Sequence, residues 1–138
     1  MVKADLINND KWDEIEALCR DAVMKMQGFE LAHFAINACG KDDASSMTDK
    51  LSKFGMVTSE TSKGFFMDKT IEIINENGVG THGHIGYKVN NIERTMSYVK
   101  KLGYTIDESS FTYDAKGKVK FFYVKEEIGG FAVHFVAK

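Results

Sequence analysis

Four short apolar segments of this chain each carry one ionisable side chain of a type that binds metal. His33 lies in Leu31-Ala-His-Phe-Ala-Ile-Asn37 and His84 in Gly83-His-Ile-Gly-Tyr-Lys-Val-Asn90. Glu72 lies in Thr70-Ile-Glu-Ile-Ile74 and His134 in Phe131-Ala-Val-His-Phe-Val136. Three imidazoles and a carboxylate suit a first-row divalent ion. Imidazole takes Zn, Fe, Ni or Cu, and the carboxylate adds charge and extends the choice to Mn. Such an ion polarises a carbonyl or enediolate, or activates water, without a redox cofactor. The bland alternatives are a hydrogen-bonded core histidine and a solvent-facing glutamate.

Whether the four can meet depends on which face of a strand each takes, because side chains alternate. Phe34 and Ile36 oppose His33, Ala35 and Asn37; Ile85, Tyr87 and Val89 oppose His84, Gly86 and Lys88. Ile71 and Ile73 oppose Glu72, and Phe131, Val133 and Phe135 oppose His134. With the bulky set against helices, His33, Glu72, His84 and His134 share one concave face. His82 has the parity of His84 and replaces it if that strand begins earlier.

The elements that position these residues occur twice. Each first strand leads into a helical stretch, and the helices end alike at Lys53-Phe-Gly-Met56 and Lys101-Leu-Gly-Tyr104. In the first unit the helix runs from about Asp42, with Ala44, Met47, Leu51 and Phe54 on one face and Gly55 as its stop. Strands follow at Val57–Glu60, Gly64–Asp68 and Lys69–Asn75. In the second, the helix carries Ile92, Met96, Val99 and Leu102, and Asp114-Ala-Lys-Gly117 turns a hairpin between Ser110–Tyr113 and Val119–Val124. Glu127-Ile-Gly-Gly130 turns into the last strand. The order βαβββ, twice, predicts an α+β domain with one cup-shaped mixed sheet. Unit one spans 29–80 and unit two 81–138, and the glycine-containing stretch from Asn75 to Gly83 joins them. Residues 1–28 precede the repeat. There, Asn9 or Asp10 caps a helix whose Trp12, Ile15, Leu18, Ala22 and Met26 form a stripe expected to pack on the body, with Gly28 as its end.

At 138 residues and 43% hydrophobic, the chain suits one domain with a real core. A net charge of -2 with mixed signs gives no reason to expect nucleic acid or an anionic membrane. No apolar run is long enough to span a bilayer, and the start does not read as a signal peptide. Cys19 and Cys39 therefore read as reduced thiols of a cytoplasmic protein, Cys39 as a buried inert one. Lys88 and Lys125 either neutralise an anionic ligand at a pocket rim or are simply solvated.

The paired units, with His33, Glu72, His84 and His134 at their opening and closing strands, resemble the vicinal oxygen chelate superfamily of glyoxalase I, extradiol dioxygenases and bleomycin-resistance proteins. The resemblance implies that these four positions line the cup and hold a divalent metal (Zn, Mn, Ni or Fe). His134 stands where Glu is common, so binding is implied more directly than glyoxalase-type proton shuttling. A closer resemblance covers almost the whole chain. Val2-Lys-Ala-Asp-Leu-Ile-Asn8, Trp12-Asp-Glu-Ile15, Gly28-Phe-Glu-Leu-Ala-His-Phe-Ala-Ile-Asn37, Gly83-His-Ile-Gly86 and Glu127-Ile-Gly-Gly-Phe-Ala-Val-His134 are similar to the domain appended to long bacterial 2-keto-3-deoxy-6-phosphogluconate / 4-hydroxy-2-oxoglutarate aldolases. A (β/α)₈ barrel needs about 250 residues, so the aldolase barrel is not in this chain. The resemblance implies a domain that binds a 2-keto acid or sugar acid. Its partner is expected to be a second copy, as a homodimer, or an aldolase barrel. Two further readings stand beside this one: a metal-dependent lyase or isomerase with Glu72 as general base, and a metal-free oligomerisation module.

Overall fold

The structure, a computed structural model, describes residues 2–138. Helices α1 (Ala4–Asn8) and α2 (Trp12–Gln27) come first. Unit one is β1 (Glu30–Asn37), α3 (Lys41–Ser52), β2 (Thr58–Thr61), β3 (Gly64–Met67) and β4 (Ile71–Ile74). Unit two is β5 (Gly83–Val89), α4 (Ile92–Lys101), β6 (Ile106–Tyr113), β7 (Val119–Ile128) and β8 (Phe131–Ala137). The expected double βαβββ order is therefore present.

The eight strands form one mixed sheet in the order β2-β3-β4-β1-β5-β8-β7-β6. Each unit pairs its first and last strands in parallel, β1 with β4 and β5 with β8. The units join antiparallel through β1 and β5 at the centre. The four strands carrying His33, Glu72, His84 and His134 are thus contiguous.

Apolar residues of the opposite parity pack under the helices. Ile73 and Met67 pack with Ala38 and Ala44 below α3, and Val89, Phe122, Val124, Val133 and Phe135 pack with Ile92 and Val99 of α4. Burying each of the larger side chains stabilises the fold by about 1.5–3 kcal/mol over leaving it exposed. The Asn91 side chain starts α4 by accepting from Arg94 N at 2.8 Å, a side-chain N-cap. The 114–117 turn closes as expected, with Gly117 N donating to the Asp114 carbonyl at 3.0 Å and Gly117 at φ 76°.

Several details depart from the sequence reading. Asp10 is left-handed at φ 53° and α2 begins after Lys11 without a side-chain cap. The stripe of α2 is not covered by the body: Trp12 is 58% and Leu18 47% exposed. The last turn of α2 is anchored. Thr95 Oγ1 donates to buried Gln27 Oε1 at 3.1 Å, and Arg94 donates to the Met26 carbonyl at 3.1 Å. Helix α3 stops at Ser52, so Phe54 leaves its apolar face and is 82% exposed. Cys39 is exposed rather than buried, because Ala38 takes the buried position at the strand end. No helix among the described residues is long and apolar enough to cross a membrane.

Candidate metal centre

Two cross-strand rows build the site on the cup face. In one row, Phe66 of β3 pairs with Glu72 of β4, Glu72 with Ala35 of β1, and Ala35 with His84 of β5. In the other, Tyr123 of β7 pairs with His134 of β8, His134 with Gly86 of β5, and Gly86 with His33 of β1. The rows are the same under exchange of the two units: aromatic, ionisable residue, small residue, histidine. The small residue makes the room. A Cβ on Gly86 would lie 2.5 Å from His134 Nε2 and 2.8 Å from His33 Cε1.

The three imidazoles converge on their Nε2 atoms. His33 Nε2 is 2.9 Å from His84 Nε2 and 3.2 Å from His134 Nε2, and one nitrogen of each ring lies within 4.8 Å of the others. Glu72 Oε2 is 3.6 Å from both His33 Nε2 and His84 Nε2. Two nitrogens each about 2.1 Å from one ion lie about 3.0 Å apart at a right angle and about 3.4 Å apart at the tetrahedral angle. The spacing of the imidazoles fits a shared divalent ion. On the other ring edge, His84 Nδ1 and His134 Nδ1 are buried and, among the described residues, meet no hydrogen-bond partner.

The surroundings favour the uncharged, lone-pair form of each ring. Burial pushes the His134 pKa down to about 3 and that of His84 to about 4, with His33 as a secondary repulsive neighbour. Burial, then Lys88, lowers that of His33. Burial also raises that of Glu72, against a smaller opposing pull from Lys63. Neutral imidazoles are what ligation requires.

The sequence ambiguity over His82 is settled geometrically. Gly83, at φ 140°, interrupts the alternation, so His82 is exposed and faces Gly130 and Phe131. His84 is the residue beside His33. Lys88 and Lys125 are exposed.

The sequence reading missed the aromatic ends of the rows. Phe66 stands edge-on to His33 at 5.9 Å between ring centroids, and Tyr123 edge-on to His84 at 6.0 Å. Phe121 adds a third ring 4.7 Å from His134. Burial, then the charge of Glu72, pushes the Tyr123 pKa up to about 12. The signal was present as the second half of the repeat, Phe65-Phe-Met67 against Phe122-Tyr-Val124, but aligning it needs the strand register. A separate apolar cavity of about 330 Å³, lined by Phe29, Tyr98, Leu102, Tyr104 and Ile128 among others, lies on the helix side of unit two. None of His33, Glu72, His84 and His134 lines it.

No family model matches the sequence, and no curated protein is detectably similar to it. Solved structures are similar in architecture. A Bacillus halodurans protein described as hypothetical has a TM-score of 0.55 at 16% identity, over 81% of this chain and 96% of that one. A methylmalonyl-CoA epimerase has a TM-score of 0.52 at 12% identity, over 78% and 93%. The homoprotocatechuate 2,3-dioxygenase of Arthrobacter globiformis has a TM-score of 0.52 at 16% identity, over 78% of this chain and 35% of that one. The chain has the vicinal oxygen chelate fold.

Proposed function

We propose that the cup holds one divalent ion on His33, His84, His134 and Glu72, and binds a small oxyacid through two adjacent oxygens. The observation that carries this reading is the convergence of three neutral imidazoles from three strands, 2.9 and 3.2 Å apart, beside a carboxylate. Each of these spacings also suits an N–H···N hydrogen bond; three imidazoles and a carboxylate meeting at one point add the donor set of a first-row ion. When bound, the ion would supply Lewis-acid polarisation of a keto or hydroxy oxygen. The chain's own residues fix the ligand geometry through the sheet, and the aromatic rings beside them limit water.

The ligand class is a 2-keto acid or sugar acid. The domain acts as an accessory module of keto-acid metabolism in the cytoplasm, as a homodimer or with an aldolase barrel as partner. Support for the aldolase connection rests on the sequence motifs alone. A second reading is favoured by one observation, the burial-raised pKa of Glu72. In that reading Glu72 is a general base whose proton affinity burial raises, and the protein is a lyase or isomerase. Element analysis of untagged protein purified without chelator tests the metal, with about one ion per chain expected. Absence of metal, with no rise in melting temperature on adding Zn, Mn, Ni or Fe(II), would sink both readings and leave the oligomerisation module. Metal-loaded protein that binds 2-keto acids without converting them or a hemithioacetal supports the accessory role over the enzyme.

A further inference from the structure

We propose that the cup selects a 2-oxo or 2-hydroxy acid bearing a flat, unsaturated or aromatic substituent, with Phe66 and Tyr123 as the side chains that select and orient it. This rests on the metal reading above and narrows its ligand. The argument starts from the two rows. Phe66 and Tyr123 occupy equivalent positions in the duplicated units, one strand outside Glu72 and His134 respectively. They stand at matching separations from His33 and His84, and both rings are steep to the imidazole planes, at 79° and 89°. Both are half-buried. The ligand cluster therefore lies between two aromatic walls, with Phe121 thickening the second at 5.3 Å from Tyr123.

Flat apolar walls favour a flat apolar group between them, through edge and offset contacts worth more than area alone. A phosphorylated sugar acid is poorly served. The chain has only two arginines, Arg20 and Arg94, and these lie on α2 and α4 rather than on the sheet. That leaves Lys63 and Lys88 as the cations acting on the cluster, without the bidentate donors that phosphate sites favour.

The walls differ by one hydroxyl, and that difference orients the ligand. The strands of Tyr123 and Glu72 are four positions apart in the sheet, yet the cup's curvature brings both to the same cluster. Among the described residues the Tyr123 hydroxyl has no hydrogen-bond partner. It is placed to donate to a ligand oxygen, leaving the flat substituent against Phe66.

The test uses the whole chain loaded with Co(II), whose visible absorption reports both metal uptake and ligand entry. Phenylpyruvate, pyruvate and 6-phosphogluconate are titrated in turn. Phenylpyruvate should bind about tenfold or more tighter than pyruvate, an advantage that Phe66→Ala largely removes while pyruvate affinity holds. Phe66→Leu keeps apolar volume but not flatness and should lose most of the same advantage. Tyr123→Phe should weaken both keto acids by about fivefold, the worth of one hydrogen bond, with an unchanged ligand-free Co(II) spectrum. Equal affinity for the two keto acids, or tighter binding of 6-phosphogluconate, would overturn the ligand preference and leave the metal reading standing. Failure to take up Co(II) would overturn both.

Discussion

On β8, Val133 and Phe135 pack toward α4, while His134 between them faces the cup and meets His33. The same alternation runs through β1, β4 and β5, so one sheet has two faces made under opposite requirements. The helix face buries apolar residues that satisfy one another and need no specific partner. The cup face buries three imidazoles and a carboxylate whose Nε2 and Oε2 atoms converge on one point. Stability is thus concentrated on one face, and the polar cluster proposed to hold the ion on the other. If that division is right, substitutions on the two faces separate cleanly.

The largest expected effect is on the helix face. Phe122 is fully buried, and Phe122→Ala should cost about 3–5 kcal/mol in chemical denaturation. The surviving folded protein should bind metal with unchanged stoichiometry. Loss of metal in proportion to the lost stability would break the comparison. Next, His84→Ala on the cup face should weaken metal affinity by about a hundredfold or more in calorimetric titration, with little change in the stability of the metal-free chain. Gly86→Ala tests the same face through shape alone. Its new Cβ meets the His134 and His33 imidazoles, so metal uptake should fall although no proposed ligand is removed. Glu72→Gln should have a smaller effect, about tenfold in metal affinity, because the amide keeps an oxygen but loses the charge.

A separate effect is on pH dependence. In the metal-free protein, His84 and His134 titrate near 4 and 3, below the 6.5 of an unfolded histidine. Between those values the unfolded chain binds more protons, so stability is held above about pH 6.5 and falls as the pH drops toward 4. Glu72 has the opposite sign: its raised pKa costs stability as pH rises above the ordinary carboxylate value. Thermal melts of chelator-treated protein from pH 7 to 4.5 should show a net decline that is shallower in His134→Ala.

Much of the cup was legible in the sequence because parity is a local property. His33, Glu72, His84 and His134 could be assigned to one face from their alternation with Phe34, Ile73, Ile85 and Val133. What lies across the strands was not legible. That Gly86 sits between His33 and His134, and Ala35 between Glu72 and His84, depends on the β1–β5 register, which shifts at a bulge between Leu31 and His33. The same dependence hid Phe66 and Tyr123. The misplaced features have local causes too. Parity gave His82 the same face as His84, but Gly83 at φ 140° turns the chain there and leaves His82 exposed. Periodicity kept Phe54 on α3 although the helix ends at Ser52. Cys39 and α2 erred the other way, since an apolar pattern says that cover is favourable, not that this chain provides it.

The most direct test of the account is a Co(II) titration of the metal-free chain followed by visible absorption. The account predicts saturation at about one ion per chain, retained in His82→Ala and absent in His134→Ala. A titration without a saturating band, or one abolished by His82→Ala and untouched by His134→Ala, would contradict it.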